Sequence, residues 1–321
     1  MARYAQMETI GNSAEAYRPR RVLIALDASP ASENALRYAC RFVSPGMLVR
    51  LVSVVENPQV PLPLPDRIPL SLDAVRSDLA KRGREMLCRA QEVFAEFGLQ
   101  AETELIELSK HAGDVLHAIA EVAEKWNADL LVIGARQHHG LLRWIEGNVA
   151  EPLTAHVKLP LLIVPECFPT TDERGPRRIL FAVDGSTEVV PALQVGATFA
   201  TSETSIKTIY VIDKATRFSN PLPFALFEEA FMEEGKSAIA IARRVLGHVP
   251  GEKVAEILST RECRDDIAHT IVREANAWRA DLLVMGTHGR RGAARWLLGS
   301  VARRVVGITS TPLLLVNSAF G

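Results

Sequence analysis

Asp281-Leu-Leu-Val-Met285-Gly286-Thr-His-Gly289-Arg-Arg-Gly-Ala-Ala-Arg-Trp-Leu-Leu-Gly299-Ser300 runs from a short apolar segment through two spaced glycines to a Gly-Ser pair that opens a helix. The apolar segment has the length and composition of a buried strand. Glycine lets a backbone take φ > 0 and come close to a ligand, and a helix start offers unpaired N–H groups and the positive end of its dipole. Strand, glycine loop and helix start together read as a cradle for a polyphosphate.

The same frame stands earlier in the chain as Gly134-Ala-Arg-Gln137-His-His-Gly-Leu-Leu-Arg-Trp-Ile-Glu-Gly147-Asn148. Other landmarks repeat with it. Val22-Leu-Ile-Ala-Leu-Asp27-Ala-Ser matches Ile179-Leu-Phe-Ala-Val-Asp184-Gly-Ser, and Trp126-Asn-Ala-Asp-Leu matches Trp278-Arg-Ala-Asp-Leu. Leu159-Pro-Leu-Leu-Ile-Val likewise matches Thr311-Pro-Leu-Leu-Leu-Val. A repeat this long describes two diverged domains rather than a solenoid. The join, Pro165 to Pro176, is polar and proline-marked, which places the boundary near Thr171. The expected organisation is a flexible tail over 1–20, a first domain over 21–170 and a second over 171–321.

A chain of 321 residues, 48% apolar and 23% charged, is long enough for two cores of that size. A net charge of −1, with basic residues spread through both halves, argues against nucleic acid and anionic membrane as partners. Cys40, Cys88, Cys167 and Cys263 are far apart, with no CxxC pair, as expected for reduced thiols in a cytoplasmic protein. No run approaches the roughly 20 apolar residues that span a bilayer, and Met1 to Arg20 has no apolar signal core.

In each half short aliphatic runs alternate with segments of helical period. Strands are expected at Arg21–Asp27, Met47–Val55, Gln100–Leu108, Asp129–Gly134 and Pro160–Val164, and again at Arg178–Asp184, Ser205–Ile212, Lys253–Ser259, Asp281–Gly286 and Pro312–Val316. Long amphipathic helices are expected at Leu72–Phe97 and Phe224–Leu246. Nearly continuous Val/Ile/Leu strands need cover on both faces, so the fold class is α/β, two doubly wound parallel sheets. Ligands of such sheets sit beyond the strands' carboxyl ends at a switch point, where Asp184 and Gly286 both fall. The proline-rich pieces 57–69 and 218–223 are expected as loops at that end, either lids or plain excursions before a long helix.

The Asp-ended first strand and the G-x2-G-x9-G-[ST] spacing resemble those of the universal stress protein family, here as a tandem of two domains from Arg21 to Asn317. The resemblance implies a Rossmann-like sheet of strand order 3-2-1-4-5 and, where the motif is intact, bound ATP. By position, Ala182, Val183, Asp184 and Val211 would line the adenine and ribose end. Met285, Gly286, Gly289, Gly299, Ser300 and Val301 would hold the ribose and phosphates. The family also implies pairing through the fifth strand, met here by Leu161–Val164 and Leu313–Val316 within one chain, with a homodimer of chains as a further arrangement.

The first copy departs from the motif at two positions. Gln137 stands where Gly289 stands and brings a side chain into the space a phosphate would need. Asn148 replaces Ser300, a change that still caps a helix. One competent site, in the second domain, is the expectation. Plainer uses exist for several of these residues. Asp184 is a good turn residue, Ser300 would serve as an ordinary helix N-cap, and Arg290, Arg291 and Arg295 as solvated surface. His138, His139 and His288 lack partners at metal-ligand spacing, and Trp144 and Trp296 read as packing residues.

No GxxxxGK[ST] loop, G-x-S-x-G elbow or spaced Cys/His pair is present. The leading reading is therefore a nucleotide-responsive stress or regulatory protein acting on an unidentified protein partner. The alternatives are a slow ATPase or phosphotransferase that uses Asp184 and Mg2+, and an interaction scaffold indifferent to nucleotide.

Overall fold

A computed structural model describes residues 17–56, 72–110, 113–135, 158–169, 175–214, 224–261, 265–287 and 298–317. Two compact units form, one over Arg20–Thr171 and the other from Asp172 onward. The tail residues 1–16 and the proline-rich loops 57–71 and 215–223 lie outside the described residues.

The first domain runs β1 (Arg21–Leu26), α1 (Pro30–Phe42), β2 (Leu48–Val55), α2 (Leu72–Glu96), β3 (Glu102–Glu107), α3 (Val115–Lys125), β4 (Leu130–Ala135) and β5 (Leu161–Pro165). Its strands are parallel, in the order β3-β2-β1-β4-β5. Val22, Leu23, Ile24 and Leu130, Leu131, Val132 are fully buried, as strands covered on both faces must be. The edge strand β3 instead carries Glu102 and Glu104, which meet Arg50 of β2 at 2.8 and 2.9 Å. Charges on an exposed edge discourage further pairing there.

The second domain repeats the plan. After β6 (Arg178–Val183) a short 3-10 turn, Thr187–Val189, leads into α4 (Val190–Ala197). Then follow β7 (Ser205–Ile212), α5 (Phe224–Val245), β8 (Lys253–Ser259), α6 (Ile267–Trp278), β9 (Leu282–Gly286), α7 (Ser300–Ile308) and β10 (Leu313–Val316). The order β8-β7-β6-β9-β10, again parallel, is the same third-second-first-fourth-fifth arrangement. The element ends differ from the sequence expectation by a residue or two. Asp27 and Asp184, for example, stand just beyond their strands rather than inside them.

The repeated landmark Trp-x-Ala-Asp-Leu has a structural use. Asp129 Oδ2 accepts the N–H groups of Arg20 and Arg21, both at 2.8 Å, and Asp281 Oδ2 accepts those of Arg177 and Arg178 at 2.8 and 2.9 Å. The guanidinium groups of Arg21 and Arg178 in turn donate to the carbonyls of Trp126 and Trp278. Each aspartate thus ties the start of its domain's fourth strand to the start of the first, the two strands that flank the switch point. Helix starts are set by local caps. Ser29 caps α1 ahead of Pro30, Asp114 caps α3 and Asp266 caps α6.

Candidate functional site

At the switch point of the second domain, β6 and β9 lie side by side with Ala182 opposite Met285. Ala182, Val183, Met285 and Val211 are all buried, with Ala182, Met285 and Val211 on one face of the sheet and Val183 on the other. Val211 lies one residue further along β7 than the Val183–Tyr210 pair, level with the turn that follows β6.

That turn carries Asp184. Gly185 adopts φ +83°, a conformation that side chains disfavour. A Cβ there would also come within 3.1 Å of Glu234 Oε1 on α5. The turn brings Ser186 back onto the aspartate, so that Oδ1 accepts its N–H at 3.0 Å and its hydroxyl at 2.7 Å. The other oxygen, Oδ2, is buried and has no hydrogen-bond partner among the described residues. A buried carboxylate oxygen without a donor is costly, and a ligand hydroxyl would relieve that cost.

The opposite wall is the junction of β9 and α7. Buried Thr287 donates its N–H to the Val316 carbonyl at 3.0 Å, and its own carbonyl accepts the Gly299 N–H at 2.8 Å. One hydrogen bond therefore joins the end of β9 to the start of α7 and brings Gly286, Gly299, Ser300 and Val301 to the same rim as Asp184. Ser300 is the first residue of the helix rather than its N-cap. Gly299 takes the cap position with φ −56° and ψ 150° and offers no side-chain cap. The exposed Ser300 hydroxyl is not spent on its own helix, and the first-turn N–H groups have no intrahelical acceptors. Neither Gly286 nor Gly299 has a positive φ. Neither glycine is therefore demanded by a left-handed backbone, which corrects the positive-φ part of the sequence expectation.

Helix α7 is anchored from α6, where Arg304 Nε lies 2.8 Å from Asp266 Oδ2. Burial pushes the Asp266 carboxyl up, but the His269 N–H, the His269 ring and Arg304 outweigh it and hold the group below its ordinary value. Cys40, Cys88 and Cys167 are free thiols. Burial pushes Cys40 to about 12, against the pull of Arg37, which leaves it protonated and inert.

The first domain treats its aspartate differently. Asp27 Oδ1 accepts the Ser29 N–H at 2.9 Å, the Ser29 hydroxyl, and the Ser32 hydroxyl at 2.6 Å, while the Asp27 N–H donates to Ser32 Oγ at 3.0 Å. Its Oδ1 is thus engaged at the start of α1, as Asp184 Oδ1 is engaged by Ser186. Gly134 is likewise taken up by the fold. A Cβ there would lie 2.3 Å from the Ala31 carbonyl, because the first turn of α1 packs against β4.

Gly289 lies outside the described residues, as do His288, Arg290, Arg291, Arg295 and Trp296. So do Gln137, His138, His139, Trp144 and Asn148 of the first domain. Of the ten residues read from the sequence as the site, nine are described, and they gather at the carboxyl ends of β6, β7 and β9 and the start of α7. Sequence reasoning missed the turn at Gly185 and the bond of Ser32 to Asp27. The signal was available in the repeat itself, where Ala28 aligns with Gly185 and Ser32 with Val189.

The sequence model of the universal stress protein family matches residues 19–165 and again 175–317. The chain belongs to the universal stress protein family. It is similar to a universal stress protein of Mycolicibacterium smegmatis, 26% identical over 313 residues, covering 92% of this chain and 96% of that protein. One from Methanocaldococcus jannaschii is 31% identical over 144 residues, 44% of this chain and 82% of its own length. Among solved structures, a universal stress protein of Archaeoglobus fulgidus superposes with a TM-score of 0.62 at 17% identity, over 94% of this chain and 100% of that one. That likeness is one of fold, and it extends over both domains of this universal stress protein. Among its described residues no helix is long and apolar enough to cross a membrane.

Proposed function

We propose that this universal stress protein binds ATP at one site, in the second domain, and acts as a nucleotide-responsive regulatory protein. The observation that carries the reading is Asp184, whose buried Oδ2 has no donor among the described residues and sits across the switch point from the start of α7. A ribose hydroxyl supplies the missing donor. Ala182, Val211 and Met285, on one face of the sheet, offer apolar surface suited to an adenine ring, with the main chain of Val183 beside them. The first-turn N–H groups of α7, the Ser300 hydroxyl and the bare main chain at Gly286, Gly289 and Gly299 suit the phosphates. Bound ATP would change the surface that the segment between Thr287 and Gly299 presents to a partner.

Calorimetric titration of the full chain with ATP, with and without Mg2+, tests this. One ATP per chain is expected. Asp184→Asn, which keeps an acceptor for Ser186 but turns the second oxygen into an amide donor, should weaken binding by about a hundredfold. Two equal sites, no uptake, or an unaffected Asp184→Asn variant would each overturn the proposal.

A further inference from the structure

The long helix α5 meets the turn that carries Asp184. A Cβ at Gly235 would lie 2.8 Å from the Tyr210 ring and 3.0 Å from Ile257, so α5 rests on β7 and β8 with no side chain between. The residue before it, Glu234, is half-buried and lies against Gly185. A Cβ at Gly185 would come within 3.1 Å of Glu234 Oε1, 3.2 Å of its Cγ and 3.5 Å of its Cδ, so the length of that side chain covers one side of the glycine. Glycine has the most conformational freedom to lose, and a turn built on φ +83° needs neighbours to hold it. Ser186 holds this turn through Asp184 Oδ1, and Glu234 closes it from the side of α5.

The first domain fills the same two positions otherwise. Gly83 makes the matching close approach, with a Cβ position 2.6 Å from Leu105 of β3 and 3.3 Å from Val55 of β2. The residue before it is Arg82, which is exposed and pairs with Asp78 of its own helix at 2.8 Å. The turn residue is Ala28, without a positive φ. The carboxylate on the long helix and the glycine in the turn thus occur together in one domain and are both missing from the other.

We infer that Glu234 is a positioning residue for the nucleotide site: its side chain, lying over Gly185, holds the turn that presents Asp184. The inference rests on the proposed ATP site and adds to it a residue that acts through the aspartate. Ordering a backbone costs entropy, and a turn fixed before the ligand arrives spares binding that loss.

Calorimetric titration of full-chain variants with ATP tests this. Glu234→Ala, which bares Gly185, should weaken ATP binding about tenfold, while Glu234→Gln, of the same length and shape, should stay within about threefold of wild type. Glu233→Ala, at the adjacent exposed carboxylate that pairs with Lys236, should leave affinity unchanged. Because Glu234 acts through the aspartate, adding Glu234→Ala to Asp184→Asn should weaken binding by no more than about twofold beyond Asp184→Asn alone. Undiminished affinity in Glu234→Ala sinks the inference. So does an equal loss in Glu234→Gln or Glu233→Ala, which would mark charge as the cause, and so does a full tenfold loss in the Asp184→Asn background, which would make the two residues independent. A wild-type chain that takes up no ATP removes the proposed function, and this inference with it; wild-type uptake that Glu234→Ala retains removes this inference alone.

Discussion

Gly299 donates its N–H to the carbonyl of Thr287 at 2.8 Å, so the last residue before α7 is tied to the first residue after β9. Thr287 is itself held to β10 through Val316. Thr287 and Gly299, on either side of the intervening segment, are therefore tied to one another and through Thr287 to the sheet.

Gly299→Ala separates two uses of that glycine. With φ −56° and ψ 150°, alanine fits the backbone without strain, and the N–H to Thr287 remains. The change should cost the unliganded chain at most about 1 kcal/mol, the scale of an N-cap substitution, measured by urea unfolding. If ATP binds as proposed, its affinity should fall about tenfold, because the added methyl would stand where the proposed site brings a phosphate close. An unchanged affinity would remove Gly299 from the phosphate cradle.

Gly134→Ala should damage the first domain without touching the second domain's site. A Cβ there would lie 2.3 Å from the Ala31 carbonyl carbon and oxygen and 2.6 Å from the Ser32 nitrogen, all backbone atoms that cannot swing aside. A loss of about 3 kcal/mol or more in urea unfolding is expected. Gly247→Ala is the control, since nothing lies within 4 Å of its Cβ position, and it should stay within about 0.5 kcal/mol of wild type.

Asp266→Ala should give a pH-dependent defect. The folded carboxyl lies below its ordinary value of 3.8, so its contribution is fully present above that value and is lost as pH falls through the lower folded one. At pH 7 the variant should be about 1 kcal/mol less stable, the usual worth of an N-cap. The gap to wild type should narrow as pH falls below 3.8 and through the lower folded value. A defect of constant size across that range would show that the carboxylate's charge plays no part at the start of α6.

Much of this molecule is written in local pattern. Apolar runs such as Leu282–Gly286 and Ser205–Ile212 announce buried parallel strands because side-chain periodicity is a property of neighbouring residues. The duplication is equally legible, since matching strings such as those around Asp27 and Asp184 need no coordinates. Helix and strand ends were less so. Asp184 falls just outside β6, and Ser300 stands inside α7 with Gly299 as its cap, because termination depends on where backbone hydrogen bonds stop.

From the chain of letters alone one obtains two copies of an α/β sheet and the switch point at their strands' carboxyl ends. That Asp184 Oδ2 is buried without a partner among the described residues follows only from the fold, because it depends on the path of the turn at Gly185. A hydrogen bond is settled by distance and direction between particular atoms. Two identical aspartates in matching strings can therefore end with different partners once the backbone has turned.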